Sequence, residues 1–159
     1  MRLIAALLCL WPALCAAQVA ADRIVILKSE RILELVQGAT IVESFPIALG
    51  QHPIGPKRQK GDGKTPEGWY VIDGRLRDSK YHRALHISYP GPKDLKRARA
   101  GGYDPGDAIY IHGMPEEFGR TDPTRFYVDW TDGCISVGNR AIEKLWAVVP
   151  VGTIVEIRP

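Results

Sequence analysis

Cysteine is scarce in this chain: three in 159 residues, at positions 9, 15 and 134. Cys9 and Cys15 lie in or beside the one long apolar run, Leu3 to Leu14, which follows the positive Arg2 and ends at Cys15-Ala16-Ala17. That order of charge, apolar stretch and small residues is the anatomy of a secretory leader, residues 1–17, cut ahead of Gln18. A second cut after Val19-Ala20-Ala21 and an uncleaved interfacial anchor are the alternatives. Bulky Leu14 argues against a lipoprotein cut at Cys15. Export would leave a single thiol, Cys134, which excludes an internal disulfide in a compartment where cysteines usually pair. Such a cysteine is either a reactive thiol or a small buried hydrophobe, and the count alone leaves both open.

The other absences narrow the function further. No later run approaches the about 20 apolar residues of a membrane helix. The net charge is only +3, or +2 without Arg2. No basic helix or aromatic–basic platform stands out, so nucleic acid is not an expected partner. The mild positive charge permits attraction to anionic wall polymers without arguing for it. Repeats and low-complexity tracts are missing. A zinc site from His86, His112, Cys134 and a carboxylate is conceivable, but no paired-ligand spacing supports it. Neither metal nor cofactor is expected.

What is present reads as one domain, 23–159, mostly β, with two short helices. Arg23 to Lys28, Arg31 to Val36 and Ala39 to Leu49 are short apolar strands separated by polar turns, which suggests an antiparallel meander. Gly50 to Gly68 holds five glycines and three prolines and is a long loop. Its Lys57, Lys60 and Lys64 read as a solvated basic loop or a binder of acidic peptides. Trp69 to Asp73 and Arg83 to Tyr89 are further strands, Pro92 to Ala100 a helix, Ala108 to Ile111 a strand, and Met114 to Asp129 mostly loop. Asn139 is placed to cap a last helix bearing Ile142, Leu145, Trp146 and Val149 at helical spacing. Thr153 to Ile157 closes the domain, a mixed β-sandwich or barrel-like sheet.

Chemistry concentrates in Trp130-Thr131-Asp132-Gly133-Cys134-Ile135-Ser136. Gly133 removes a side chain just before the thiol, so a substrate can approach the backbone, and amides at such a turn can bind an oxyanion. A thiol needs help to ionise at neutral pH, and a thiolate–imidazolium pair is the usual arrangement. Of His52, His82, His86 and His112, the last is best placed: it ends an apolar strand, is followed by Gly113, and lies 22 residues before Cys134. His86 reads as half-buried structure. Trp130 is either a cleft residue or a core residue, and Asp132 would raise the thiol pKa.

His112-Gly113, followed by Thr131-Asp132-Gly133-Cys134-Ile135, resembles the His-Gly and Ser-x-Gly-Cys elements of the L,D-transpeptidase catalytic domain (YkuD-type) family. Gly61-Asp62-Gly63-Lys64-Thr65-Pro66-Glu67-Gly68 is similar to that family's Gly-Asp-x-x-Thr-Pro-x-Gly stretch, and Ile87-Ser88-Tyr89-Pro90 to a strand end common in its short members. The resemblance implies the L,D-transpeptidase fold, Cys134 as nucleophile, His112 as base, and the Gly113 carbonyl as the group that orients the imidazole. Thr131 keeps the hydroxyl of the family's serine. Ser136 stands where the family has arginine and cannot supply a guanidinium.

The expected activity is acyl transfer through a Cys134 thioester, from a peptidoglycan stem peptide to an amine on a second stem or a wall-attached protein. Gly133, Thr131 and Trp130 are the candidate oxyanion and substrate contacts. A monomer in the periplasm or cell envelope is expected. With water as acceptor the same residues make a carboxypeptidase or endopeptidase. A non-catalytic wall-binding module is the reading from another class. A sortase-like enzyme fits poorly, because Arg140 falls on the last helix and Arg158 at the terminus.

Overall fold

The computed structural model describes residues 20–115 and 128–159. The expected leader and most of the expected Met114–Asp129 loop lie outside the described residues. Strands β1 (Arg23–Leu27), β2 (Ile32–Gln37) and β3 (Thr40–Pro46) form the expected antiparallel meander. β4 (Gly68–Ser79) and β5 (His82–Ile87) make a long hairpin, helix α1 (Pro92–Gly101) follows, and β6 (Tyr110–His112) and β7 (Ile135–Ser136) run parallel. Helix α2 (Asn139–Val148) leads into β8 (Ile154–Arg158), which slots between β1 and β4.

The sheet order is β3-β2-β1-β8-β4-β5-β6-β7. This mixed sheet is not closed into a barrel. Its two ends approach through isolated bridges, Ala48 with Ser136 and Gly50 with Thr131. β1 is flanked by strands on both sides, and its β-branched run Ile24-Val25-Ile26 is buried throughout, as a central strand requires. Ile24, Ile26, Leu33, Ile72, Leu85 and Ile111 fill the core with Ile142 and Leu145 of α2. The helical spacing of the apolar residues thus marks the buried face of α2.

Three local expectations are corrected. β4 runs six residues beyond Asp73, to Ser79, with register shifts after Ile72 and Leu76. Arg75, Leu76, Arg77 and Asp78 are exposed there, so this part of the hairpin lacks the alternating burial that marks a strand in sequence. β6 begins at Tyr110 rather than Ala108, because Ala108 has φ +57° and cannot extend a strand. Gly138 occupies the N-cap of α2, and Asn139 lies inside the helix. Its side chain serves another purpose, described below.

The Gly50–Gly68 loop is held by buried charge. Lys28 Nζ, 2 % exposed as a residue, donates to Gly55 O (2.8 Å), Thr65 O (3.1 Å) and Glu67 Oε1 (2.8 Å). The Asp62 carboxylate accepts from the amides of Arg58, Gln59 and Lys64 and from Lys57 Nζ (2.9 Å). Lys57 is therefore a buried structural cation rather than part of a solvated face.

Candidate active site

The turn that carries Cys134 is clamped by the chain between β3 and the loop. Leu49 O accepts from Thr131 N–H (3.1 Å), Gln51 N–H donates to Thr131 O (3.0 Å), and Ala48 and Ser136 exchange both backbone bonds (2.9 and 2.8 Å). Asp129 steadies the approach to the turn, accepting from Arg31 through Nε and Nη2 and from Leu49 N–H. Inside the turn, Thr131 Oγ1 accepts from Gly133 N–H (3.1 Å) and donates to Cys134 O (2.7 Å). The Gly133 amide is thus engaged in the resting structure. Among the described residues, the Cys134 N–H has no partner.

Gly133 has φ +129°, and a Cβ there would lie 2.5 Å from Lys64 O. Both the backbone conformation and the underlying loop demand glycine. This joins the Gly61–Gly68 stretch to the thiol: that loop is the floor on which the turn rests.

β6 delivers His112 at its end, paired with Ala84 of β5 and Ser136 of β7. The imidazole is 2 % exposed as a residue, and its Nδ1 lies 2.6 Å from Gly113 O. A neutral ring donating from Nδ1 keeps Nε2 as acceptor. Tyr81, at the β4–β5 hairpin tip, stacks on the ring at 4.3 Å and 21°, and Trp130 meets it edge-on at 5.8 Å. Trp130 is half-buried beside this cleft, and its Nε1 has no partner among the described residues.

Asn139 accounts for Gly113. Its Oδ1 accepts from Met114 N–H (2.7 Å), and a Cβ on Gly113 would lie 2.6 Å from that oxygen and 2.9 Å from Tyr81 O. Asn139 is thus not the helix cap its residue type suggests, and Tyr81 carries no sequence signal of its place. The latter sits in a polar turn with no periodicity to mark it.

His112, Cys134, Tyr81, Tyr110, Lys80 and Leu76 line one cavity of about 200 Å³. Cys134 is half-buried, and its Sγ–H points to Ala108 O at 3.5 Å. Among the described residues no hydrogen bond joins Sγ to the imidazole. Burial pushes the thiol pKa up, and Asp132 adds to this, while the Tyr110 amide and the Lys57 and Lys80 ammonium groups oppose it. Burial likewise depresses the His112 pKa to about 4, against the pull of the Gly113 carbonyl and aided by Lys80. At neutral pH the resting pair is a neutral thiol and a neutral imidazole. The expected thiolate–imidazolium pair is not the resting form, because a half-buried cleft penalises both charges.

The depressed His112 pKa has a consequence for stability. Between 6.5, the ordinary histidine value, and about 4, the unfolded chain takes up a proton that the folded chain refuses. Stability is full above pH 6.5 and falls by about 3 kcal/mol as the pH drops to 4, at about 1.4 kcal/mol per pH unit of depression. Denaturant unfolding at pH 7 and pH 4 should show a correspondingly smaller acid loss in His112→Asn. Equal losses in the two proteins would refute the assignment.

The remaining histidines lie elsewhere. His86 is half-buried on β5 with Nδ1 2.5 Å from Asp73 Oδ1, His82 pairs with Glu143 of α2 (2.6 Å), and His52 is exposed beside Asp62 O. Ser136 is fully buried, and its Oγ has no partner among the described residues.

The comparisons with known proteins agree with this architecture. The family model for the L,D-transpeptidase catalytic domain, YkuD, matches residues 21–157. YafK of Escherichia coli K12, whose name as an L,D-transpeptidase is provisional, is 30% identical over 130 residues. The match covers 78% of this chain and 45% of YafK, so the chain spans less than half of that relative. The helical cell shape determining protein Pgp2 from Campylobacter jejuni is 25% identical, with a TM-score of 0.68 over 89% of this chain and 48% of Pgp2. The LD transpeptidase LdtMt1, solved in complex with imipenem, shares the fold at 16% identity, with a TM-score of 0.57 over 87% of this chain and 59% of LdtMt1. From the matched model and the site at the end of β6 alike, the chain belongs to the L,D-transpeptidase catalytic domain family.

Proposed function

We propose that this protein is an exported cysteine acyltransferase acting on peptidoglycan stem peptides, with Cys134 as nucleophile and His112 as base. The observation that carries the reading is the commitment of His112 Nδ1 to Gly113 O. It leaves Nε2 as the basic nitrogen of an imidazole that shares a cavity with a half-buried thiol. His112 takes the thiol proton as sulfur attacks the carbonyl after an L-centre. A C–S bond forms, and the tetrahedral oxyanion is stabilised by the Cys134 amide. The C–N bond to the D-residue breaks, and its nitrogen leaves with the proton from His112. The amine of a second stem, or of a wall-attached protein, then attacks the thioester, gives its proton back through His112, and restores the thiol. Residues 1–17 are the export leader in this reading, and the periplasm or cell envelope is the site of action.

Burial of the pair supports general-base attack over a preformed thiolate. Mass spectrometry of muropeptides incubated with the protein tests the proposal. Cross-linked or amine-exchanged products are expected. Shortened stems alone would make water the acceptor and the protein a carboxypeptidase. Imipenem, the ligand solved with LdtMt1, is expected to acylate Cys134, read as a mass increment on the peptide that contains it. Unchanged muropeptides together with an unmodified thiol would point to a non-catalytic wall-binding module.

A further inference from the structure

The hairpin tip that places Tyr81 on His112 carries a second group into the cleft. Lys80 lines the same cavity as Cys134 and His112, and its Nζ sits 4.8 Å above the Tyr81 ring. Ammonium and imidazole thus share Tyr81 as a neighbour, the first 4.8 Å from its ring centre and the second stacked on it at 4.3 Å. The cation–π contact holds an otherwise flexible side chain over one edge of the site.

Several neighbouring cations are already engaged. Lys57 is buried against Asp62, Arg83 pairs with Glu143, and Arg75 donates to Trp146 O while lying over its indole ring. Lys64 Nζ is held by Ile54 O. β7 adds no charge, since Ile135 and Ser136 are both fully buried and uncharged. Lys80, by contrast, enters no ion pair among the described residues, although Asp78 lines the same cavity. The other nearby carboxylate, Asp132, accepts from Gln51 Nε2 at 3.4 Å.

We infer that Lys80 is a specificity-determining residue, whose ammonium binds the free C-terminal carboxylate of the residue that leaves from the donor peptide. The inference rests on the acyl-transfer reading above. In that reaction His112 protonates the leaving nitrogen, so the leaving residue lies on the imidazole side of Sγ. Its carboxylate follows that nitrogen after one α-carbon, within the same small cavity that His112, Tyr81 and Lys80 line together. A peptide that continued past that residue would offer a neutral amide there and leave the ammonium without its partner. The site therefore selects the last bond of a peptide over an internal one. Lys80 also bears on the thiol directly, favouring the thiolate and disfavouring a protonated His112.

Two measurements on the full chain test this. The first compares alkylation of Cys134 by iodoacetate and by iodoacetamide, which differ in charge but report the same thiolate, so a change in thiol pKa cancels from their ratio. The iodoacetate-to-iodoacetamide ratio is expected to fall about tenfold in Lys80→Met and further in Lys80→Glu, the scale of one ion contact in a partly wet cleft. Lys80→Arg should retain it, and Lys93→Met on α1 should leave it unchanged. The second compares a tetrapeptide stem donor with its C-terminal amide. Wild type should prefer the acid by about tenfold in kcat/KM, and in Lys80→Met the acid-to-amide ratio, from which any common change in thiol reactivity cancels, should fall to about one. An unchanged alkylation ratio, or an acid preference that survives Lys80→Met, overturns the assignment. Turnover of neither peptide by wild type, with the alkylation contrast intact, rejects the peptide donor itself, and the carboxylate contact falls with it.

Discussion

Cys134→Ala is expected to abolish turnover, lowering kcat by about four to six orders of magnitude, because the proposed thioester forms on its sulfur. The loss should not come from unfolding. The turn that carries Cys134 is held by bonds the side chain does not make: Thr131 Oγ1 to Gly133 N–H and Cys134 O, and the paired amides of Ala48 and Ser136. The only hydrogen bond from Sγ among the described residues, to Ala108 O at 3.5 Å, is long and weak. The melting temperature should therefore stay within a few degrees of wild type while muropeptide conversion disappears. Conversion that persists in the folded variant would rule out a thioester.

His112→Ala is expected to lower kcat/KM by about 10²–10⁴-fold, the usual reach of a positioned general base. His86→Ala and His52→Ala should stay within a few-fold. His52 is exposed on the loop, and His86 is tied to Asp73 and lies outside the residues that line the cavity. The pH profile separates the base from a merely structural histidine. In wild type the acidic limb belongs to His112, whose imidazole must be neutral to accept the thiol proton. Activity should be level through pH 6 and fall only as the pH drops towards about 4. That limb should vanish in His112→Ala. A limb that remains there, or an acidic limb in wild type centred near the ordinary histidine value of 6.5, would contradict the buried neutral base.

Much of the site was legible because its signals are local. His112-Gly113 and Gly133-Cys134 stand out by residue type, and each glycine has a steric reason: Asn139 and the hairpin crowd Gly113, while the loop at Lys64 crowds Gly133. The meander and α2 were legible from apolar periodicity, which burial then followed. The outer half of β4 was not, because a hairpin projecting beyond the core has no dry face to write a pattern into its sequence. Asn139 was misplaced for a related reason. Asparagine is a good helix cap in isolation, but here the Met114 amide competes for its oxygen, and Gly138 serves as the cap.

The sequence by itself determined the candidate thiol, the histidine that shares its cavity, the glycine-rich loop beneath the Cys134 turn and a mostly β chain. Each follows from residue types within a few positions of one another. Only the tertiary structure decided the open sheet, the stacking of Tyr81 on His112, the reach of Lys80 into the cavity and the neutrality of the resting pair. Those depend on segments far apart in the chain, with the β4–β5 hairpin set against the end of β6 and the 48–51 segment against the Cys134 turn. Desolvation, which sets the charge of both Cys134 and His112, is the sum of what those distant segments exclude, and no local pattern of residues encodes it.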